Sequence, residues 1–227
     1  MSGKAVLAVK KIYINPGHCD KDPGAVGYET ERRLNVAVSG FMADYLQTHY
    51  DCQIRMNPGT MHRLAEIAQD ANDWGADLFV SNHFNAAGGD GYEGYIYSEK
   101  TMDLGKLFAA QVEKAGQNLR RVSDTPGVII RPTLAVLRRT HMPAILTEGA
   151  FVDNLKDISD WNEDHELQKL GAAYARAAAR YLGLEQKKTI CYRVQVGAYR
   201  EKENALAQLE KIRAAGFPDA FIQEGIL

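Results

Sequence analysis

The sequence predicts an α/β fold: a mainly parallel, twisted sheet with helices on both faces, plus a small C-terminal βαβ piece. Three observations lead there. Short β-branched and aromatic runs alternate with helix-period segments from Lys11 to Gly183, the pattern of a parallel sheet covered on both sides. Turn signals such as Pro16-Gly17, Pro23-Gly24 and Pro58-Gly59 punctuate the changeovers. Beyond a polar linker, residues 184–189, the character shifts to one alternating run, one helix and one short apolar run. Residues 1–183 thus read as one domain, and residues 190–227 as a module too small to be stable alone.

Lys11 to Asn15 reads as a buried strand that Pro16-Gly17 ends, leaving His18 just past its end. Thr30 is a good N-cap for a helix whose apolar positions, Leu34, Val38, Phe41, Met42, Tyr45 and Leu46, follow helical spacing, with Glu31 in its first turn. A second strand spans Cys52 to Arg55, and Thr60 can open a helix to about Trp74. The apolar run Asp77 to Ser81 fits a parallel strand and delivers His83 at its end. Gly94 to Tyr97 is read as a strand, Thr101 or Asp103 as the start of a helix to Gly116, and residues 118–131 as irregular. Ala135 to Leu137 reads as a short strand, and Pro143 to Thr147 as a strand ending on Glu148. Asn162 or Asp164 caps a last long helix that stops at Gly183. In the tail, Tyr192, Val194 and Val196 alternate as in a half-exposed strand, Glu201 to Ala215 is helical, and Ala220 to Ile222 is a second strand.

Composition is that of a soluble globular chain: 227 residues, 45% apolar, 25% charged. A net charge of -2 gives no reason to expect nucleic acid or an anionic membrane surface as a partner. No apolar run approaches a membrane span, and the three cysteines, Cys19, Cys52 and Cys191, imply no disulfide framework. The run Ala5 to Val9 is followed directly by lysines and does not read as a signal peptide, so synthesis in the cytoplasm is expected.

Two strand-end histidines, His18 and His83, and a carboxylate at a helix start can face one crevice at a sheet edge. Such a His₂Glu set leaves the fourth tetrahedral position of Zn²⁺ open, which is the arrangement of a catalytic site. Zinc lowers the pKa of its bound water to about 7, and an unligated carboxylate must then accept the water proton and pass it to a leaving nitrogen. Glu148 is the candidate, and the small Gly149 and Ala150 behind it are expected to admit substrate closely.

The blocks that carry these residues resemble a known family. PGH at Pro16 to His18, DPGA at Asp22 to Ala25 and ERRLN at Glu31 to Asn35 resemble the opening of the zinc-dependent N-acetylmuramoyl-L-alanine amidases of the third amidase type. Ala71 to Tyr97 looks like that family's second histidine block, and Met142 to Asn154 like its catalytic-glutamate block. The resemblance covers about Lys11 to Gly183. It implies that His18, Glu31 and His83 bind Zn²⁺, that Glu148 is the general base and acid, and that the substrate is peptidoglycan. The implied reaction is hydrolysis of the amide between the lactyl group of N-acetylmuramic acid and L-alanine of the stem peptide. Glu29 rivals Glu31 by proximity, but the family pattern favours Glu31.

The family commonly has Asp where this chain has Asn15, and Gly-Gly at Cys19-Asp20. Asn15 is expected to alter only a supporting hydrogen bond, and Cys19 to be a tolerated small side chain in a roomy loop that loses a glycine's access to positive φ. The tail, Tyr192 to Gln223, resembles the first half of a SPOR domain, a repeated βαβ unit that binds glycan strands stripped of stem peptides. One unit without its repeat is expected to pair with the same piece of a second chain. The resemblance fits both a phage endolysin and a mother-cell lysis amidase of sporulation, enzymes that reach the wall after release. The rival readings are a catalytically silent peptidoglycan-binding module and a zinc peptidase that cuts within the stem peptide. Of the remaining histidines, His49, His62 and His165 read as solvated and His141 as a neighbour of the cleft; Arg55 and Arg63 read as structural.

Overall fold

Strands Lys10–Pro16 (β1), Cys52–Met56 (β2), Leu78–Asn85 (β3), Glu93–Ile96 (β4), Val128–Ile130 (β5) and Ala144–Phe151 (β6) form one sheet in the order β2-β1-β3-β6-β4-β5. This is a computed structural model, which describes residues 8–61, 63–187 and 194–224. β2, β1, β3 and β6 run parallel, and β4 turns antiparallel against β6 with β5 parallel to β4. From β1 the chain goes to β2 on one side and β3 on the other. The carboxyl ends of β1 and β3 therefore flank the switch point where open α/β sheets bind ligands.

Helices Glu31–His49 (α1), Met102–Ala115 (α3) and Asp164–Tyr181 (α6) pack together on one face of the sheet. Leu64–Trp74 (α2) and Ala135–Arg139 (α4) cover the other, where Tyr13, Ile67, Phe79, Val136 and Leu146 share a second core. The helical spacing read for α1 holds: Leu34, Val38, Met42 and Leu46 are buried. Residues 135–139 form helix α4 where a strand was expected. Three apolar residues carry no period, and the amide of Arg138 closes a helical turn onto the carbonyl of Leu134. The strand lies instead at β5, inside the stretch read as irregular, and a short helix, Leu155–Ser159 (α5), follows β6. α2 starts at Leu64, later than Thr60, and β6 runs through Glu148 to Phe151.

The chain forms two units, Met1–Lys187 and Lys188–Leu227. In the first, Gln186 bridges to Tyr50 and the Lys187 amide donates to the His49 carbonyl. In the second, the expected helix forms over Lys202–Ala214 (α7). The expected strands do not: residues 194–199 and 220–222 are described without strand pairing, and Tyr192 lies outside the described residues. A single small βαβ piece offers a strand no neighbour and buries little, and Val194, Val196, Phe217 and Phe221 are exposed accordingly.

α1 and α6 approach closely at Gly171, where a Cβ would sit 2.8 Å from the Met42 amide nitrogen and 2.9 Å from the Val38 carbonyl oxygen. In an open helix, Gly→Ala gains about 1 kcal/mol. Here the added methyl meets backbone, and overpacking costs about 1–3 kcal/mol. Gly171→Ala is therefore expected to lower stability in urea denaturation; a stabilised variant would show that α1 and α6 part easily.

Candidate metal centre

His18 leaves β1 with a φ of 64°, and it is this residue, not Cys19, that takes the left-handed conformation in the loop. Cys19 is buried, its backbone paired with that of Asp22, so the loop is tight where a roomy one was expected. Closing this turn brings the Asp22 carboxylate 2.9 Å from His18 Nδ1 and directs Nε2 to Glu31 Oε2 at 3.0 Å. His83, from β3, brings Nδ1 to 2.8 Å from Glu31 Oε1. His18, Glu31 and His83 each offer a ligand atom within 4.8 Å of the others.

Glu31 opens α1, but Thr30 makes no side-chain cap. The loop after β1 does the capping: the amides of Glu31 and Arg32 donate to the carbonyls of Ala25 and Pro23. Helix start and loop are thus one structure. The Ala25 amide returns a hydrogen bond to Glu31 Oε2, and Asn35 Nδ2 and the Phe84 amide approach Oε1. Burial opposes the charge of Glu31, yet the hydrogen bonds from His18 and His83 outweigh it and hold its pKa below the usual carboxylate range. The hydrogen bond to Glu31, working against burial and helped by Asp22, raises His18 to about 9. Glu29, the rival by proximity, is engaged by Arg33 at 2.9 Å.

Glu148 on β6 stands in register with His83 on β3 and with Glu93 on β4. With His18, Glu31, His83, Asn85, Tyr95 and Leu134 it lines a cavity of about 400 Å³. Burial, with the charges of Glu31 and Glu93, pushes its pKa well above the ordinary carboxylate value. Its Oε2 is buried with no hydrogen-bond partner among the described residues. Glu93 is buried as well, and its carboxylate takes Arg120 at 3.3 Å, Asn85 Nδ2 at 2.8 Å and the Tyr95 hydroxyl at 2.5 Å.

The donor set fits a divalent metal such as zinc. Two imidazoles and a carboxylate converge from three separate elements, and one histidine is backed by a carboxylate, as metal-bound histidines are. The space around them is kept clear: a Cβ at Gly24 would lie 2.5 Å from Glu31 Oε2, and one at Gly17 would overlap the His83 ring.

Residues 12–180 match the family model described as N-acetylmuramoyl-L-alanine amidase, and residues 166–225 match that of the SPOR domain. The chain belongs to the N-acetylmuramoyl-L-alanine amidase family. It is 32% identical over 219 residues to the N-acetylmuramoyl-L-alanine amidase CwlM of Bacillus licheniformis, covering 93% of this chain and 84% of the relative. The sporulation-specific N-acetylmuramoyl-L-alanine amidase of Bacillus subtilis is 30% identical over 215 residues, covering 91% and 82%. An endolysin of Bacillus phage SPP1 is 28% identical over 184 residues, covering 78% and 68%. The catalytic domain of CwlV, an amidase of Bacillus (Paenibacillus) polymyxa var. colistinus, superposes with a TM-score of 0.68 at 24% identity, over 78% of this chain and 100% of that one.

Within this amidase fold the other residues singled out in the sequence stand apart from the cavity. Gly149 and Ala150 face the core and not the substrate side: a Cβ on Gly149 would meet Leu170 and Phe84, and Ala150 is fully buried. His141 is exposed, its amide bonded to Asn72, and it does not line the cavity. Arg55 pairs with Asp70 and Arg63 with Glu66. His49 stacks on Tyr45, His165 pairs with Glu166, and His62 lies outside the described residues. Asn15 bridges Ser81 and Asn57 in a buried chain of hydrogen bonds.

Sequence reading missed Glu93, Tyr95 and Asn85. Their signal was the alternation in Glu93-Gly94-Tyr95, which places Glu93 and Tyr95 on one face of a strand.

Asp22→Asn removes the charge behind His18. Its expected effect is a 10- to 100-fold loss of divalent-metal affinity, measured by competition with a chromogenic chelator. Unchanged affinity would mean that Asp22 does not orient the ligand.

Proposed function

We propose that the chain is a zinc-dependent amidase that hydrolyses the bond between N-acetylmuramic acid and L-alanine in bacterial peptidoglycan. The observation that carries this reading is the convergence of His18, Glu31 and His83 with the unligated Glu148 in one cavity, in a chain of this family. His18, Glu31 and His83 would hold the metal, with Asp22 fixing His18 and the Ala25 amide fixing Glu31. When bound, zinc supplies a water of lowered pKa and polarises a carbonyl oxygen beside it.

The proton work falls to Glu148. It neighbours His83 across the sheet and lines the cavity, where it would take the proton of the attacking water and pass it to the leaving nitrogen. Burial and the nearby carboxylates make its carboxyl hold a proton more tightly than a solvated glutamate does. That favours return of the proton to the L-alanine nitrogen as the bond breaks, the second half of acid–base catalysis by one group. A silent binding module needs no such set, and all four positions are filled here.

The carboxyl-terminal unit is proposed to act as a self-pairing half of a SPOR-like module. It matches the SPOR model, and its apolar side chains Val194, Val196, Leu206, Phe217 and Phe221 are exposed. A second copy of the piece would supply both the missing strand neighbours and the other half of a core.

Digestion of purified peptidoglycan tests the reaction. New L-alanine amino groups paired with free lactyl carboxyl groups are expected, abolished by a chelator and reduced about 10²- to 10⁴-fold by Glu148→Gln. Ends within the stem peptide would replace this reading by a peptidase, and uncut wall that retains the protein would replace it by a binding module. For the tail, light scattering of the chain with and without residues 188–227 should show a dimer only when the tail is present. Equal oligomeric states would sink the pairing.

A further inference from the structure

Arg131 follows β5 directly, and its backbone is pinned on both sides: its amide donates to the Ile96 carbonyl, and its carbonyl accepts from the Leu134 amide. Its guanidinium carbon lies 5.6 Å from the ring centroid of Tyr95. Tyr95 and Leu134 both line the cavity that holds Glu148. A guanidinium on a held stretch of backbone thus packs against an aromatic residue of the cavity wall.

Among the described residues, Arg120 and Arg131 bring guanidinium groups to this wall, and they differ in what they already hold. Arg120 pairs with buried Glu93 and covers the ring of Phe151. Arg131 is exposed and has no carboxylate partner among the described residues. Glu93 is in turn saturated by Arg120, Asn85 and Tyr95. Arg131 thus pairs with none of the carboxylates around the cavity, and a planar five-donor fork is suited to take one from outside.

Resting on the amidase reading above, we infer that Arg131, stacked on Tyr95, binds a free carboxylate on the stem peptide close to the cut bond: the α-carboxylate of the second residue. In stem peptides that residue is joined onward through its side-chain carboxyl group, so its α-carboxyl group stays free, either as the acid or as its amide. Arg131 would therefore make the enzyme discriminate between acid and amide stems. A guanidinium–carboxylate pair at a partly solvated rim would give about tenfold to a hundredfold preference, since charged hydrogen bonds are worth more than neutral ones. The contact is made equally before and during reaction, so the preference should appear in KM and not in kcat.

The test uses the full chain with zinc and two soluble N-acetylmuramoyl tetrapeptides that differ only at the second residue, α-carboxylate or α-amide. Wild type is expected to favour the acid by lower KM. Arg131→Gln should raise KM for the acid about tenfold or more, leave the amide substrate unchanged and erase the preference; Arg131→Lys should restore part of it. Equal KM values for the two substrates in wild type, or an equal loss on both in Arg131→Gln, would overturn the inference while leaving the amidase intact. Failure of wild type to release L-alanine amino groups from either substrate would overturn the amidase reading and this inference with it.

Discussion

The carboxylate of Glu31 is the joint on which the rest of the site depends. It belongs to the first turn of α1, it accepts the amide of Ala25 from the loop after β1, and it meets His83 and the Phe84 amide on β3. The loop and α1, neighbours in the chain, are thus tied at one pair of oxygens to β3, which lies far along it. Burying a carboxylate costs free energy unless its lone pairs are filled, and here the backbone and both imidazoles fill them. Carbonyls of the same loop cap α1, so that helix, loop and site residues form together. Moving any of them would leave buried donors of the others unpaired.

That joint explains why glycines crowd this corner of the fold. Gly17 yields to the His83 ring, and Gly24, at a φ of 69°, yields to His18 and Glu31. A β-carbon at either place would push an imidazole or the carboxylate aside. The tight backbone also accounts for His18 itself standing at positive φ. The turn is set by the hydrogen bonds between Cys19 and Asp22, and the histidine takes the conformation that keeps its ring on Glu31.

The convergence of His18, Glu31 and His83, with Glu148 beside them, was legible in the sequence because each sits where a local signal ends. His18 follows Pro16-Gly17, His83 follows an apolar run, and Glu31 follows a loop rich in turn residues. The parallel sheet was legible for the same reason. What was not legible depended on pairing between distant strands. Glu93 meets Glu148 only because β4 reverses direction against β6, and no local period encodes that reversal. Residues 135–139 carry too few apolar positions to tell strand from helix, and Gly149 reads as an opening toward substrate until the packing of Phe84 and Leu170 is seen behind it. In the tail, alternation alone suggested strands, but alternation states which faces a strand would have and supplies no neighbour to pair with.

The reversal at β4 also divides the charges of the cavity wall. Alternation along β4 puts Glu93 and Tyr95 on one face, the first opposite Glu148 and the second opposite Leu146 on the cavity wall. The chain between α3 and α4 then returns a guanidinium to each: Arg120 to Glu93 and Arg131 to Tyr95. If Glu93 lacked Arg120, Asn85 and the Tyr95 hydroxyl, its charge would raise Glu148 further and draw Arg131 inward. Because Glu93 is filled locally, Glu148 feels a partly neutralised neighbour, and the outer guanidinium is left facing solvent. The inner pair thereby acts on Glu148, the acid–base group of the proposed reaction, and the outer pair is the one proposed for recognition.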